Sequence, residues 1–145
     1  MNVYSHKVFY FSTILKKGVQ QEFSVTVTEQ MVEDFRKITG DINPLHNDDG
    51  FAKNYNYPKK VVYGMLTASF LSTLAGVYLP GKYCVIHSVE TKFTQPVFVG
   101  DRLLVSGIVT EMNDCVQQVV LRVTITNQDG KKVLRGTLKA GVLEE

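Results

Sequence analysis

The chain has 145 residues, 44 % of them hydrophobic and 21 % charged, with 16 Lys plus Arg against 14 Asp plus Glu for a net charge of +2. That length is one ordinary domain, large enough to bury a core, so residues 1–145 are read as a single domain. The balance excludes a disordered tail, and with no uniformly basic window of five or six residues it argues against nucleic acid as a partner.

The first residues show no basic stretch leading into an apolar run and a small-residue cleavage site, so a cytoplasmic protein is expected. Residues 6–15 and 20–27 read as strands. In the second, Phe23, Val25 and Val27 alternate with Glu22, Ser24 and Thr26. The period then changes, because Met31, Val32, Phe35 and Ile38 recur at helical spacing. Thr28 suits the N-cap, Val27 and Val32 can staple the first turn, and Gly40 stands where a left-handed C-cap belongs, which predicts a helix over 29–39. Residues 40–63, rich in Gly, Asn, Asp, Pro and Tyr, form a long irregular excursion with a short helical turn near 48–54. Excursions of that length in a small domain often carry function.

The longest uncharged run covers 61–81, and its helical part, 64–79, falls short of the roughly twenty residues that a membrane span needs. No membrane partner is expected. Apolar nearly all round, this segment predicts a helix enclosed by other structure, with Ser69, Ser72, Thr73 and Gly76 on one stripe where close packing is expected. Four strands follow, over 83–95, 102–112, 115–126 and 132–143, the last two joined by a turn at Asn127-Gln128-Asp129-Gly130. Five or six antiparallel strands and one apolar helix imply an α+β fold, a sheet curled round a buried central helix. Cys84 and Cys115 sit in alternating apolar segments, with neither C-x-x-C nor zinc-ligand spacing, and are expected to be buried reduced thiols; no metal is expected.

Chemistry concentrates in Gly40-Asp41-Ile42-Asn43-Pro44-Leu45-His46. A carboxylate and an imidazole, separated by a proline just past a helix end, are held on a stiff turn and can clasp one water between them. Asn43 can brace either group or the loop, and partial burial of Asp41 is expected. Gly64, opening the apolar helix, leaves the first-turn N–H groups approachable by a ligand oxygen that gains negative charge. A water-activating pair and an oxyanion site are the parts that hydration of an activated double bond requires.

The segment 35–52 resembles the signature of the R-specific enoyl-CoA hydratases (hydratase 2, MaoC-like dehydratases), matching at Gly40, Asp41, Asn43, Pro44, Leu45, His46 and Ala52. Gly64-Met65-Leu66 and Ala68-Ser69 resemble the opening of that family's central helix, and residues 95–101 resemble a later strand turn. The resemblance implies a hot-dog fold, a homodimer joined sheet edge to edge, and reversible syn addition of water to a trans-2-enoyl thioester, giving a (3R)-3-hydroxyacyl thioester. It implies Asp41 and His46 as the catalytic pair, the Gly64 N–H as donor to the thioester oxygen, and Ser69 as an orienting group near the site. Coenzyme A or a carrier-protein pantetheine enters as part of the substrate, with no separate cofactor. One departure is Tyr63, at the thioester end, where the family commonly has His; Tyr is larger and still donates a hydrogen bond.

Competing readings are a non-catalytic acyl-thioester binding protein and a hot-dog thioesterase. The first gives no reason to keep both Asp41 and His46. The second typically relies on a carboxylate on or beside the central helix, and 64–79 contains no Asp or Glu; the Gly-His-Phe-Pro pattern and helix Glu of the fatty-acid-synthesis dehydratases are also missing. Phe51, Tyr55 and Tyr57 are candidates to line an acyl or pantetheine channel or to cover the core. Lys53, Lys59, Lys60, Lys82 and Lys92 are read as surface charges, and His6 and His87 as lying away from the signature.

Overall fold

A computed structural model describes residues 15–143. The strands β1 (Gln20–Thr26), β2 (Cys84–Phe93), β3 (Arg102–Asn113), β4 (Gln118–Thr126) and β5 (Lys132–Val142) form one antiparallel sheet in the order β1-β3-β4-β5-β2. Between β1 and β2 lie α1 (Glu29–Thr39), α2 (Pro44–Asn47), α3 (Asp49–Asn54) and α4 (Gly64–Thr73), the last running on through wider π-type turns over Leu74–Tyr78. Nearly all of the strand expected over 6–15 lies outside the described residues.

Period-two patterning builds the inner face of the sheet. Val119, Leu121, Val123 and Ile125 on β4 are fully buried, while Arg122 between them is exposed. Against this face α4 and its continuation lay Leu66, Leu71, Leu74 and Ala75. Contact is close at Gly107 on β3, where the tip of the Leu74 side chain lies 3.0 Å from the position a Cβ would take, so a larger residue would push that side chain aside. α1 begins and ends on its local signals: the Thr28 hydroxyl accepts the Met31 N–H, Val27 and Val32 are both buried, and Gly40, at φ 74°, donates its N–H to the Arg36 carbonyl.

Three expectations change. The described residues do not fully enclose the central helix: Met65, Ser69, Ser72, Thr73, Gly76 and Val77 form an exposed strip, and among the described residues β2 is an edge strand with none beyond it. Val89 and Phe93 pair with the buried Leu138 and Leu134, yet remain 45 % and 51 % exposed. The excursion over 40–63 holds two short helices, since Asn43 and Pro44 start α2 just as Asp48 starts α3. The strand expected from 115 begins instead at Gln118, and Cys115 sits in an exposed turn capped by Asn113.

Both cysteines are free, and Cys84 is half-buried, its thiol pKa raised by desolvation. Alkylation at neutral pH should therefore reach Cys115 well before Cys84. Mass spectrometry of a short iodoacetamide pulse checks this, and equal labelling would contradict the placement. Among the described residues no helix is long and apolar enough to cross a membrane.

Candidate active site

α1 delivers the site. Its C-cap Gly40 turns the chain so that Asp41 follows at once, and the Asp41 N–H donates to the Thr39 hydroxyl at 3.2 Å. One carboxylate oxygen of Asp41, Oδ1, accepts the Asn43 N–H at 3.0 Å. Asn43 in turn caps α2, its Oδ1 accepting the Leu45 N–H at 2.9 Å. This chain of short-range hydrogen bonds leaves Asp41 Oδ2 available, and Asp41 is exposed where partial burial was expected.

His46 lies one turn on, in α2. Its Nδ1 is 2.7 Å from the Val61 carbonyl, which can only accept a hydrogen bond, so Nδ1 carries the proton and the neutral ring keeps its lone pair on Nε2. Val61 also donates its N–H to the Leu45 carbonyl at 3.0 Å, which ties α2 to the segment leading into α4.

Tyr63 is 2 % exposed and caps this arrangement from the side. Its ring stands 4.3 Å from the His46 ring and 5.0 Å from that of Phe35, centroid to centroid. Its hydroxyl donates to the Asp41 backbone carbonyl and accepts the Asn47 side-chain amide at 3.2 Å. Asn47 also bonds the Asn43 carbonyl and receives the Arg36 guanidinium at 2.8 Å. Arg36, Asn47 and Tyr63 thus lash the end of α1, the Asp41 loop and the start of α4 together. Neither Arg36 nor Asn47 could be found from sequence, because their partners lie 11 and 16 residues away at no regular spacing.

At the start of α4 the Leu66 and Thr67 N–H groups both reach back to the Tyr63 carbonyl, and the Gly64 N–H has no hydrogen-bond partner among the described residues. It is a free donor at the positive end of a helix. The Phe93 ring closes over Gly64, 3.2 Å from the position of a Cβ.

A cavity of about 460 Å³ brings Asp41, His46, Tyr63 and Gly64 together, with Met65 at its rim. A second groove of about 290 Å³ shares His46 and Gly64 and runs on past Tyr57, Thr67, Phe93 and Gln95. His46 and Gly64 therefore stand where two channels meet. Ser69 is not among the residues lining either, and its hydroxyl donates to the Leu66 carbonyl at 2.6 Å. The Phe51 and Tyr55 rings pack against each other at a tilt, 4.9 Å between centroids, and only Tyr57 of the three excursion aromatics lines either channel. Lys60 pairs with Glu29, Lys59 donates to the Val99 carbonyl, and His87 bonds Gln118. Among the described residues no cluster of His, Cys, Asp or Glu is arranged to hold a metal ion.

Residues 10–130 match the model of the MaoC like domain. The chain belongs to this family. It is 31 % identical over 127 residues to the (R)-specific enoyl-CoA hydratase of Rhodospirillum rubrum, covering 88 % of this chain and 87 % of that protein. Identity to the (R)-specific enoyl-CoA hydratase of Aeromonas caviae is 33 % over 122 residues, 84 % and 91 % of the two chains. Among solved structures, the (R)-hydratase from A. caviae involved in PHA biosynthesis superposes with a TM-score of 0.85 at 31 % identity, over 90 % of this chain and 98 % of the other. Family and hot-dog architecture are therefore as expected from the 35–52 signature, and in this MaoC-like domain the segment that carries the signature is the one that folds round the cavity.

Proposed function

We propose that this MaoC-like protein is an R-specific enoyl-thioester hydratase and, in the reverse direction, a 3-hydroxyacyl-thioester dehydratase. The observation that carries the reading is the convergence of Asp41, His46 and the unpartnered Gly64 N–H on one cavity. With the thioester oxygen on the Gly64 N–H, electron density drawn from the double bond leaves C3 electrophilic. His46 Nε2 accepts a proton from the water whose oxygen bonds to C3, and Asp41 Oδ2 accepts the other O–H and aims the attack. The enolate then takes the proton back from His46 at C2. Delivery from the face that water attacked makes the addition syn, and water is consumed without residue.

The thioester supplies its own activation, so coenzyme A or a carrier-protein pantetheine belongs to the substrate and no further cofactor is invoked. The cytosol is the proposed setting. A non-catalytic thioester-binding protein is not favoured, since it has no use for an imidazole poised as a base beside a carboxylate. The test is the fall in enoyl absorbance when purified protein meets crotonyl-CoA, a medium-chain enoyl-CoA and the matching carrier-protein thioesters, with chiral analysis of the product. Formation of the (3R) alcohol is expected; silence on all of them would overturn the reading.

Tyr63→Phe is expected to lower kcat about tenfold with little change in KM, because it frees the Asp41 loop without altering the cavity wall. Steady-state kinetics decide the matter, and an unchanged kcat would show that the hydroxyl does not hold Asp41.

The homodimer is proposed to form along β2. Its outer edge is unpaired among the described residues, Val89 and Phe93 are half-exposed beside the open strip of α4, and a second copy of the strand would cover both. Light scattering should give the mass of two chains for the wild type and of one for Val89→Glu. A dimeric Val89→Glu would place the interface elsewhere.

A further inference from the structure

Thr67 is the one threonine of α4 that is buried, at 2 % exposure, and its Oγ1 has no hydrogen-bond partner among the described residues. A helical threonine ordinarily returns its hydroxyl to a carbonyl three or four residues back. Here the Tyr63 carbonyl already receives the Leu66 and Thr67 N–H groups. An orphaned buried hydroxyl lowers stability, so its presence on a buried helix face calls for a partner that the described residues do not supply.

Side chains on a helix lean toward its N-terminus, which puts Thr67 over the turn begun by Gly64, three residues earlier. Gly64 has no side chain to fill that space, and the Phe93 ring roofs it. Thr67, Gly64 and His46 line the same groove. We propose that the Thr67 hydroxyl is a second donor to the thioester oxygen, working with the Gly64 N–H as a two-donor oxyanion site. This rests on the hydratase reading and adds a catalytic residue to it. The oxygen gains charge as C3 accepts water, and a hydroxyl with no competing acceptor among the described residues keeps its donor for it.

The test compares Thr67→Val, Thr67→Ala and Thr67→Ser with the wild type on crotonyl-CoA. Valine fills the same volume and removes the orphan, so its melting temperature should equal or exceed the wild type while kcat falls about 10²-fold. Alanine should show the same loss without added bulk, and serine should recover activity to within a few-fold. A further readout is the red shift of the enoyl band on binding to an Asp41→Asn background, which reports polarisation of the carbonyl and should shrink when Thr67→Val is added. An active wild type with an unimpaired Thr67→Val and an unchanged band overturns the second donor alone. A wild type silent on every enoyl thioester overturns the hydratase reading and this proposal with it.

Discussion

Asp41→Asn and His46→Gln are each expected to fold with a near-wild-type melting temperature and to lose about 10²- to 10⁴-fold in turnover. The structural half follows from what the new side chains can still do. Asparagine keeps an oxygen for the Asn43 N–H, and Asp41 is exposed, so its loop loses little. Glutamine at 46 can still donate to the Val61 carbonyl in place of Nδ1. Neither replacement supplies the missing chemistry: an amide at 41 carries no charge to orient water, and an amide at 46 cannot accept the proton that Nε2 would take. Rates within a few-fold of wild type for either variant, measured with enoyl-CoA under saturating conditions, would sink the assignment of the pair.

Gly136→Val is expected to destabilise the protein by about 3 kcal/mol or more, or to prevent folding. A Cβ at this position would fall on the Glu90 carbonyl oxygen, with the Thr91 Cα close behind, and both belong to the backbone of the neighbouring strand, which cannot rotate aside as a side chain would. The clash lies at the Thr91–Gly136 pair in the middle of the β2–β5 ladder. β2 carries Phe93 against Gly64 and offers the edge proposed for dimerisation, so loss of this pairing removes the roof of the oxyanion site as well as stability. Urea denaturation checks the prediction, with Gly136→Ala as the milder variant. A wild-type midpoint for Gly136→Ala would mean that the strands are not in this register.

How much could be read beforehand depended on the range of the interaction. α1 was legible at both ends because a cap is a contact between residues three or four apart: Thr28 with Met31, Gly40 with Arg36. β4 and β5 were legible because burial of one face imposes a period of two on the sequence itself. α2 was missed because Pro44 reads equally well as a stiff turn and as the first residue of a helix. Cys115 was misplaced for a similar reason, since an alternating pattern does not say where a strand gives way to its turn. The exposed strip of the central helix was not legible, as apolar composition does not distinguish a helix face that the described residues cover from one that they leave open.

By itself the sequence determined the local stage: a helix ending at Gly40, a carboxylate and an imidazole on a proline-stiffened loop, and a glycine at the head of an apolar helix. These depend on neighbours in the chain, whose geometry is set by backbone sterics and capping. Tertiary structure alone decided which nitrogen of His46 bears the proton, that Tyr63 turns its hydroxyl to the Asp41 carbonyl, and that Thr67 keeps a buried hydroxyl without a partner. The groups that settle the first two lie 15 and 22 residues away in sequence, and Thr67 is left unpaired by bonds made elsewhere. Such contacts arise only when the 40–63 excursion folds back on itself at the head of α4, because a hydrogen bond between distant residues carries no periodicity or spacing that a sequence could display.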